Sequence, residues 1–113
     1  MKSNSKKVLI TGCAGFIGSN LVKNLVKLNY TVTGADNFRT GQKKFIEKFI
    51  KNKKFTFKKI DLLNDNHLKK LFRQKFDIVF HFAANADVSK GYLNPLNDLK
   101  LNTIMTSKLL EEC

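Results

Sequence analysis

Residues Thr11-Gly12-Cys13-Ala14-Gly15-Phe16-Ile17-Gly18 decide how the rest of the sequence is read. Before them stands Lys7-Val8-Leu9-Ile10-Thr11, an apolar run that reads as a buried strand. After them Ile17, Leu21, Leu25 and Leu28, with Val22 and Val26 beside them, recur at helical spacing. A glycine turn that leaves a strand and opens a helix is the setting a phosphate-binding loop requires. Gly12 lets the chain turn tightly. Gly15 removes a side chain where a pyrophosphate must approach backbone N–H groups, and Gly18 lets the helix pack closely on the sheet. The helix N-terminus adds partial positive charge for the phosphates. Glycine spacing alone is weak evidence; an acid at the end of the next strand strengthens it. That acid is Asp36, closing Thr31-Val32-Thr33-Gly34-Ala35-Asp36. A carboxylate there can accept both hydroxyls of an adenosine ribose and repels a 2′-phosphate, which favours NAD over NADP. Arg39, Lys43 and Lys44 follow closely and are compatible with a 2′-phosphate.

Beyond this unit the pattern keeps switching between strand and helix periods. Residues 42–50 place Phe45, Ile46, Phe49 and Ile50 on one face of an expected helix. Residues 55–60 alternate as a third strand. A short helix across residues 66–72 is expected to bury Leu68, Leu71 and Phe72. Residues 77–83 are almost continuously apolar, the pattern of a central parallel strand. The last helix opens with Asn94 as N-cap and Pro95 at its first position, then runs through Leu99, Asn102, Ile104 and Leu109. Four βα units imply a parallel sheet with right-handed crossovers. The expected fold is therefore α/β, a Rossmann-type doubly wound parallel sheet in partial form, with about four strands in the order 3-2-1-4. No repeat, linker or low-complexity tract interrupts residues 1–113, which read as one domain.

Length and composition bound the function. The 113 residues are 42% hydrophobic and 27% charged, an ordinary globular balance. No apolar run approaches the roughly 18 residues of a membrane span, and Val8-Leu9-Ile10 is too short for the core of a signal peptide. Cys13 and Cys113 lie far apart with no metal-ligand spacing, so neither a disulfide framework nor a zinc site is expected, and a cytoplasmic location fits. The formal net charge of +12 invites a nucleic-acid reading. Yet only Arg39 and Arg73 are arginines among 21 basic residues, whereas readers of bases and phosphates lean on the arginine fork. The lysines are spread along expected helix faces and strand flanks, and a solvated surface explains them more simply.

Other positions carry less. Asp61, at the end of the third strand, suits a contact to an adenine amino group with Leu62 packing on the base, and equally suits a loop or capping role. Ala83 and Ala84 leave room beside the glycine turn, though an apolar strand end needs no such reason. His81 reads as a strand-end histidine, and His67 has no Cys or His partner at ligand spacing. Cys13 stands where a helix N-terminus would lower a thiol pKa; a small residue tolerated by the turn is the plainer account. Asp87 and Lys90 fit a solvated loop as well as a substrate contact.

Five segments together resemble one family. The glycine turn, Asp36-Asn37-Phe38-Arg39-Thr40-Gly41, Asp61-Leu62, His81-Phe82-Ala83-Ala84-Asn85-Ala86-Asp87-Val88 and Asn102-Thr103 are similar, in this order, to the extended short-chain dehydrogenase/reductases. Within them the chain resembles the NAD-dependent epimerase/dehydratase group acting on nucleotide sugars, such as UDP-glucose 4-epimerases. The resemblance covers essentially all 113 residues. It implies that Gly12, Gly15, Phe16, Ile17 and Gly18 hold the pyrophosphate of NAD. It implies that Asp36 and Asn37, with the loop to Gly41, bind the adenosine ribose, and that Asp61 and Leu62 hold the adenine. Phe82, Ala83, Ala84 and Ala86 would line the path to the nicotinamide, and Asn102 would brace the site from the last helix. A homodimer is compatible with the resemblance. Where the family often has Gly, this chain has Met105.

One departure matters. The family's chemistry rests on a Tyr-x-x-x-Lys pair with a Ser or Thr, the Tyr exchanging a proton with the sugar hydroxyl. Tyr30 and Tyr92 are followed four residues later by Gly34 and Leu96, so neither makes the pair. The expectation is an NAD-binding N-terminal half without catalytic residues, the Tyr/Lys segment and sugar-binding domain lying beyond position 113. The whole enzyme would be a nucleotide-sugar epimerase or dehydratase, most simply a UDP-sugar 4-epimerase. A stand-alone, non-catalytic NAD-binding module and a basic nucleic-acid binder are the other classes.

Overall fold

A computed structural model describes residues 5–84 and 88–113. Four parallel strands form one sheet in the order β3-β2-β1-β4, as expected. They are β1 (Lys7–Thr11), β2 (Thr31–Asp36), β3 (Phe55–Lys59) and β4 (Ile78–His81). The registers run from Lys7 opposite Thr31, Val32 opposite Phe55, and Val8 opposite Ile78. Helix α1 (Phe16–Lys27) follows β1, α2 (Asp65–Leu71) follows β3, and α3 (Val88–Leu93), α4 (Pro95–Leu99) and α5 (Met105–Glu112) follow β4. Two compact units result. Residues 1–59 with 75–82 carry the whole sheet, and residues 60–74 with 83–113 carry the helices after α1.

The first unit is built on β1, whose Val8, Leu9 and Ile10 are wholly buried. Val8 and Ile10 share a core with Val22 of α1, Val32 of β2, Ile46 and Phe55. Full burial of a side chain such as Ile46 contributes about 1.5–3 kcal/mol. Leu21, Leu25 and Val26 pack on this core at its margin, as the helical stripe predicts. The two ends of that stripe do not: Ile17 and Leu28 are exposed, because they sit in the first turn and at the C-cap of α1.

The expected helix at residues 42–50 is instead two 3₁₀ turns, Lys43–Phe45 and Glu47–Phe49, hinged at Ile46. Their bonds run from Ile46 N–H to the Lys43 carbonyl and from Phe49 N–H to the Ile46 carbonyl. So short a segment gains too little from α-helical bonds to repay nucleation. Its conformation follows from driving Ile46 into the core and setting Phe49 edge-on to Phe55, ring centroids 6.3 Å apart. Strand β4 also departs from expectation. It lies at the sheet edge, as the 3-2-1-4 order implies, but spans only four residues and leaves Ile78 exposed and Phe80 half-buried.

In the second unit α2 buries Leu68 and Leu71, while Phe72 is its half-buried C-cap. Helix α3 was not legible as a separate element. The last helix begins as expected at Asn94 and Pro95 but is interrupted by a π-helical stretch, Lys100–Ile104. The wider turn re-phases the face, so Leu101, Met105 and Leu109 are buried while Leu99 and Ile104 are exposed.

Candidate functional site

The glycine turn is shaped by two glycines and left open by a third. Gly12 takes φ 70°, a left-handed conformation that a side chain would strain. At Gly18 a Cβ would overlap the Gly12 carbonyl oxygen and stand 3.0 Å from Cys13 Cα, so only glycine lets α1 start against the turn. Gly15 is different. Its backbone is extended, and a Cβ there would meet only the Gly12 oxygen at 3.4 Å, an ordinary contact. The fold alone does not demand glycine at position 15.

Gly15 is the N-cap of α1, and no side chain caps this helix. Its first turn holds no acid, and Phe16 and Ile17 stand 73% and 67% exposed. Ser19 and Asn20 turn back to donate to the Phe16 carbonyl at 3.1 and 2.7 Å. The start of this 12-residue helix therefore has no side-chain acceptor at its N-cap.

Asp36 is brought to the same turn. Its Oδ2 accepts the Ala14 N–H at 2.9 Å and its Oδ1 accepts the Phe38 N–H at 2.8 Å. Asn37 is exposed, with its Oδ1 accepting the Arg39 N–H at 2.9 Å. Gly41 comes back against Ala14, and the next residue, Gln42, donates its N–H to the Ala14 carbonyl at 2.9 Å. Residue type and position alone placed Asp36 near a ligand but did not show that it is bonded into the loop. The signal available was the spacing of 22 residues from Ala14 to Asp36 across one βαβ step.

Thr11, last in β1, contacts His81 Nδ1 through its hydroxyl at 2.6 Å, and its carbonyl accepts the Phe82 N–H at 3.1 Å. Burial holds the His81 imidazole below its ordinary pKa, so it is a neutral partner of Thr11. Phe82 is exposed and stacks on Phe80 at 6.2 Å. Cys13 is fully buried, its Sγ against Gly34. Burial first, and the Asp36 charge second, push its thiol pKa far above normal. The helix N-terminus does not make it reactive.

The remaining candidates belong to the second unit. Asp61 is exposed, and its Oδ1 accepts the Leu63 N–H at 2.9 Å, while its N–H donates to His67 Nδ1 at 3.2 Å. Leu62 is buried, Ala83 half-buried and Ala84 exposed. Asn102 lies in the π-helical stretch, its amide donating to Asp98 Oδ1 at 3.0 Å. Ala86, with Asn85 and Asp87, lies outside the described residues. Among the described residues no cluster of His, Cys, Asp or Glu is arranged to hold a metal, and no helix is long and apolar enough to cross a membrane.

Known proteins resemble this chain in sequence and fold. UDP-glucuronic acid decarboxylase 1 of Danio rerio is 36% identical over 109 residues, covering 96% of this chain and 25% of that protein. The UDP-Glc/GlcNAc 4-epimerase of Campylobacter jejuni superposes with a TM-score of 0.90 at 37% identity, over 96% of this chain and 33% of its own. UDP-glucose 4-epimerase of Thermus thermophilus, solved in complex with NAD, superposes with a TM-score of 0.82 at 34% identity, over 95% of this chain and 33% of its own. The chain thus spans about a quarter to a third of the length of these relatives. The family model of NAD-dependent epimerases and dehydratases matches residues 8–113, from β1 through the glycine turn and Asp36 to the last helix. The chain belongs to the NAD-dependent epimerase/dehydratase family.

Proposed function

We propose that residues 1–113 form the NAD-binding part of a nucleotide-sugar epimerase or dehydratase, and that the whole protein is a UDP-sugar 4-epimerase. The observation that carries this reading is a bare helix start and a carboxylate tied to the same turn. The N–H groups of α1 suit a pyrophosphate, and Gly15 keeps a side chain out of its way. Each Asp36 oxygen already accepts one N–H and retains acceptor capacity for a ribose hydroxyl. These features fit the cofactor.

On this reading Gly12, Gly15, Phe16, Ile17 and Gly18 hold the pyrophosphate, and Asp36, Asn37 and the loop to Gly41 hold the ribose. Asp61 and Leu62 receive the adenine; Phe82, Ala83, Ala84 and Ala86 border the nicotinamide, with Asn102 bracing them. Bound there, NAD supplies a reversible hydride acceptor for a sugar carbon. The chain's own contribution is binding and orientation, since neither Tyr30 nor Tyr92 is followed by the lysine that proton transfer needs. Residues 1–113 alone therefore show no turnover. The proposed setting is the cytoplasm, with a homodimeric whole enzyme and no nucleic-acid partner.

Calorimetric titration of NAD into the 113-residue chain tests the reading. Saturable binding is expected, and Gly15→Asp abolishes it by placing a carboxylate where the phosphates lie. No saturable binding by the unaltered chain, or binding indifferent to Gly15→Asp, overturns the proposal.

A further inference from the structure

Asp36 is held more firmly than a ribose-binding carboxylate needs to be. Two backbone N–H groups, from Ala14 and Phe38, grip its two oxygens at 2.9 and 2.8 Å. To offer the second, Phe38 adopts φ 61°, a left-handed conformation that is unfavourable for a bulky side chain. The Phe38 ring is anchored against Phe57, centroids 5.1 Å apart, with the Lys59 ammonium 5.9 Å from its centroid. From the other side Gly41 closes in. A Cβ at Gly41 would stand 2.9 Å from Asp36 Oδ2, 2.9 Å from Ala14 Cβ and 3.1 Å from the Ala14 carbonyl carbon. Of these neighbours only the carboxylate can turn away, because Ala14 is buried and its carbonyl is tied to Gln42.

We propose that Phe38 and Gly41 are positioning residues that lock the Asp36 carboxylate in a single orientation, and that this lock sets the discrimination between NAD and NADP. The inference rests on the dinucleotide reading above and adds the cause of its selectivity. A carboxylate free to rotate can swing aside for a 2′-phosphate, and Arg39, Lys43 and Lys44 follow closely enough in sequence to offset the added charge. Rotation here would break two charge-assisted hydrogen bonds, so the 2′-phosphate meets a fixed negative charge instead. Charge at position 36 is necessary on this account but is not sufficient.

The test is the ratio of NAD to NADP affinity, which a general loss of stability does not move. The unaltered chain binds NAD more tightly than NADP. Gly41→Ala keeps the Asp36 charge but displaces its carboxylate, lowering the ratio about tenfold, the equivalent of roughly one charge-assisted hydrogen bond. Gly15→Asp removes binding of both dinucleotides, because it acts at the pyrophosphate they share. An unchanged ratio in folded Gly41→Ala overturns the lock while leaving the NAD reading intact. If Gly41→Ala fails to fold by circular dichroism, Asp36→Glu decides instead. It retains the charge on a side chain too long for both bonds, so a reduced ratio supports the lock and an unchanged one overturns it. Absence of NAD binding in the unaltered chain overturns the dinucleotide reading itself.

Discussion

Helices α1 and α2 begin in opposite ways. At α2 the Asn64 side chain accepts the His67 N–H at 3.0 Å, and Asp65 adds negative charge to the first turn. Helix α4 repeats the device with Asn94, which accepts the Asn97 N–H at 3.1 Å, and with Asp98. At α1 the cap is Gly15, the first turn has no acid, and two apolar side chains stand in the open. A side-chain cap contributes about 1 kcal/mol and a first-turn acid a few tenths. Helix α1 forgoes both and is held by Val22 in the core and by Gly18 pressed onto the turn. A helix start closed by its own side chains has done its work within the fold. One left bare, beside a carboxylate already fixed to the same loop, has capacity left for a ligand.

The contrast can be broken most severely at Gly18. Gly18→Val would force a side chain into the Gly12 carbonyl, and neither backbone can yield cheaply. A loss of about 2–3 kcal/mol, the upper range of overpacking, is expected in urea unfolding. A stability equal to that of the unaltered chain would show that α1 does not depend on contact with the turn. Gly15→Asp sharpens the comparison in the opposite sense, because it makes the start of α1 resemble that of α2. Unfolding stability should hold or rise by a few tenths of a kcal/mol, since Asp caps better than Gly, while NAD binding is lost. A variant that lost stability as well would mean that the fold itself needs Gly15. Asn64→Ala and Asn94→Ala should each cost about 1 kcal/mol and leave NAD affinity unchanged. Reduced NAD affinity in either would show that those caps are not purely structural.

The sequence exposed these helix starts unequally. Asn94-Pro95 carries its cap in its residue types, so its position was legible. The glycine turn was legible because strand, glycines and helix are contiguous. The segment at residues 42–50 was misread: four apolar residues at helical spacing look the same whether the backbone makes i→i+4 or i→i+3 bonds, and Ile46 burial decided between them. Residues 77–83 suggested a longer and more buried strand than the four residues of β4, because composition reports apolarity and not how much of it is covered. The π-helical stretch at Lys100–Ile104 leaves no trace in residue types, so the stripe predicted through Leu99 and Ile104 missed the buried Leu101 and Met105. At the site, Asp36 was legible by type and position. Its bonds to Ala14 and Phe38 were not, because they depend on the left-handed turn at Phe38, a conformation that Phe does not advertise.

The smallest effect tests the support beneath the bare helix start. Thr11 immediately precedes Gly12, and its hydroxyl meets His81 Nδ1 at 2.6 Å at the end of β4. Burial lowers the pKa of His81 from its ordinary 6.5. The unfolded chain therefore takes up this proton before the folded one does as the pH falls. The contribution is fully present above the unfolded value and is lost as pH drops through it toward the folded value. Asp65, whose carboxyl is lowered from 3.8 by its hydrogen bond to Lys108, acts in the same direction but in a more acidic window. Stability measured by urea unfolding should thus decline as the pH falls through the ordinary histidine value, and His81→Asn should flatten that decline. A decline unchanged by His81→Asn would mean that protonating this imidazole does not disturb its contact with Thr11. The glycine turn would then be tied to β4 by the strand pairing and by backbone bonds such as those from Phe82 to Thr11 and from Asp77 to Lys7.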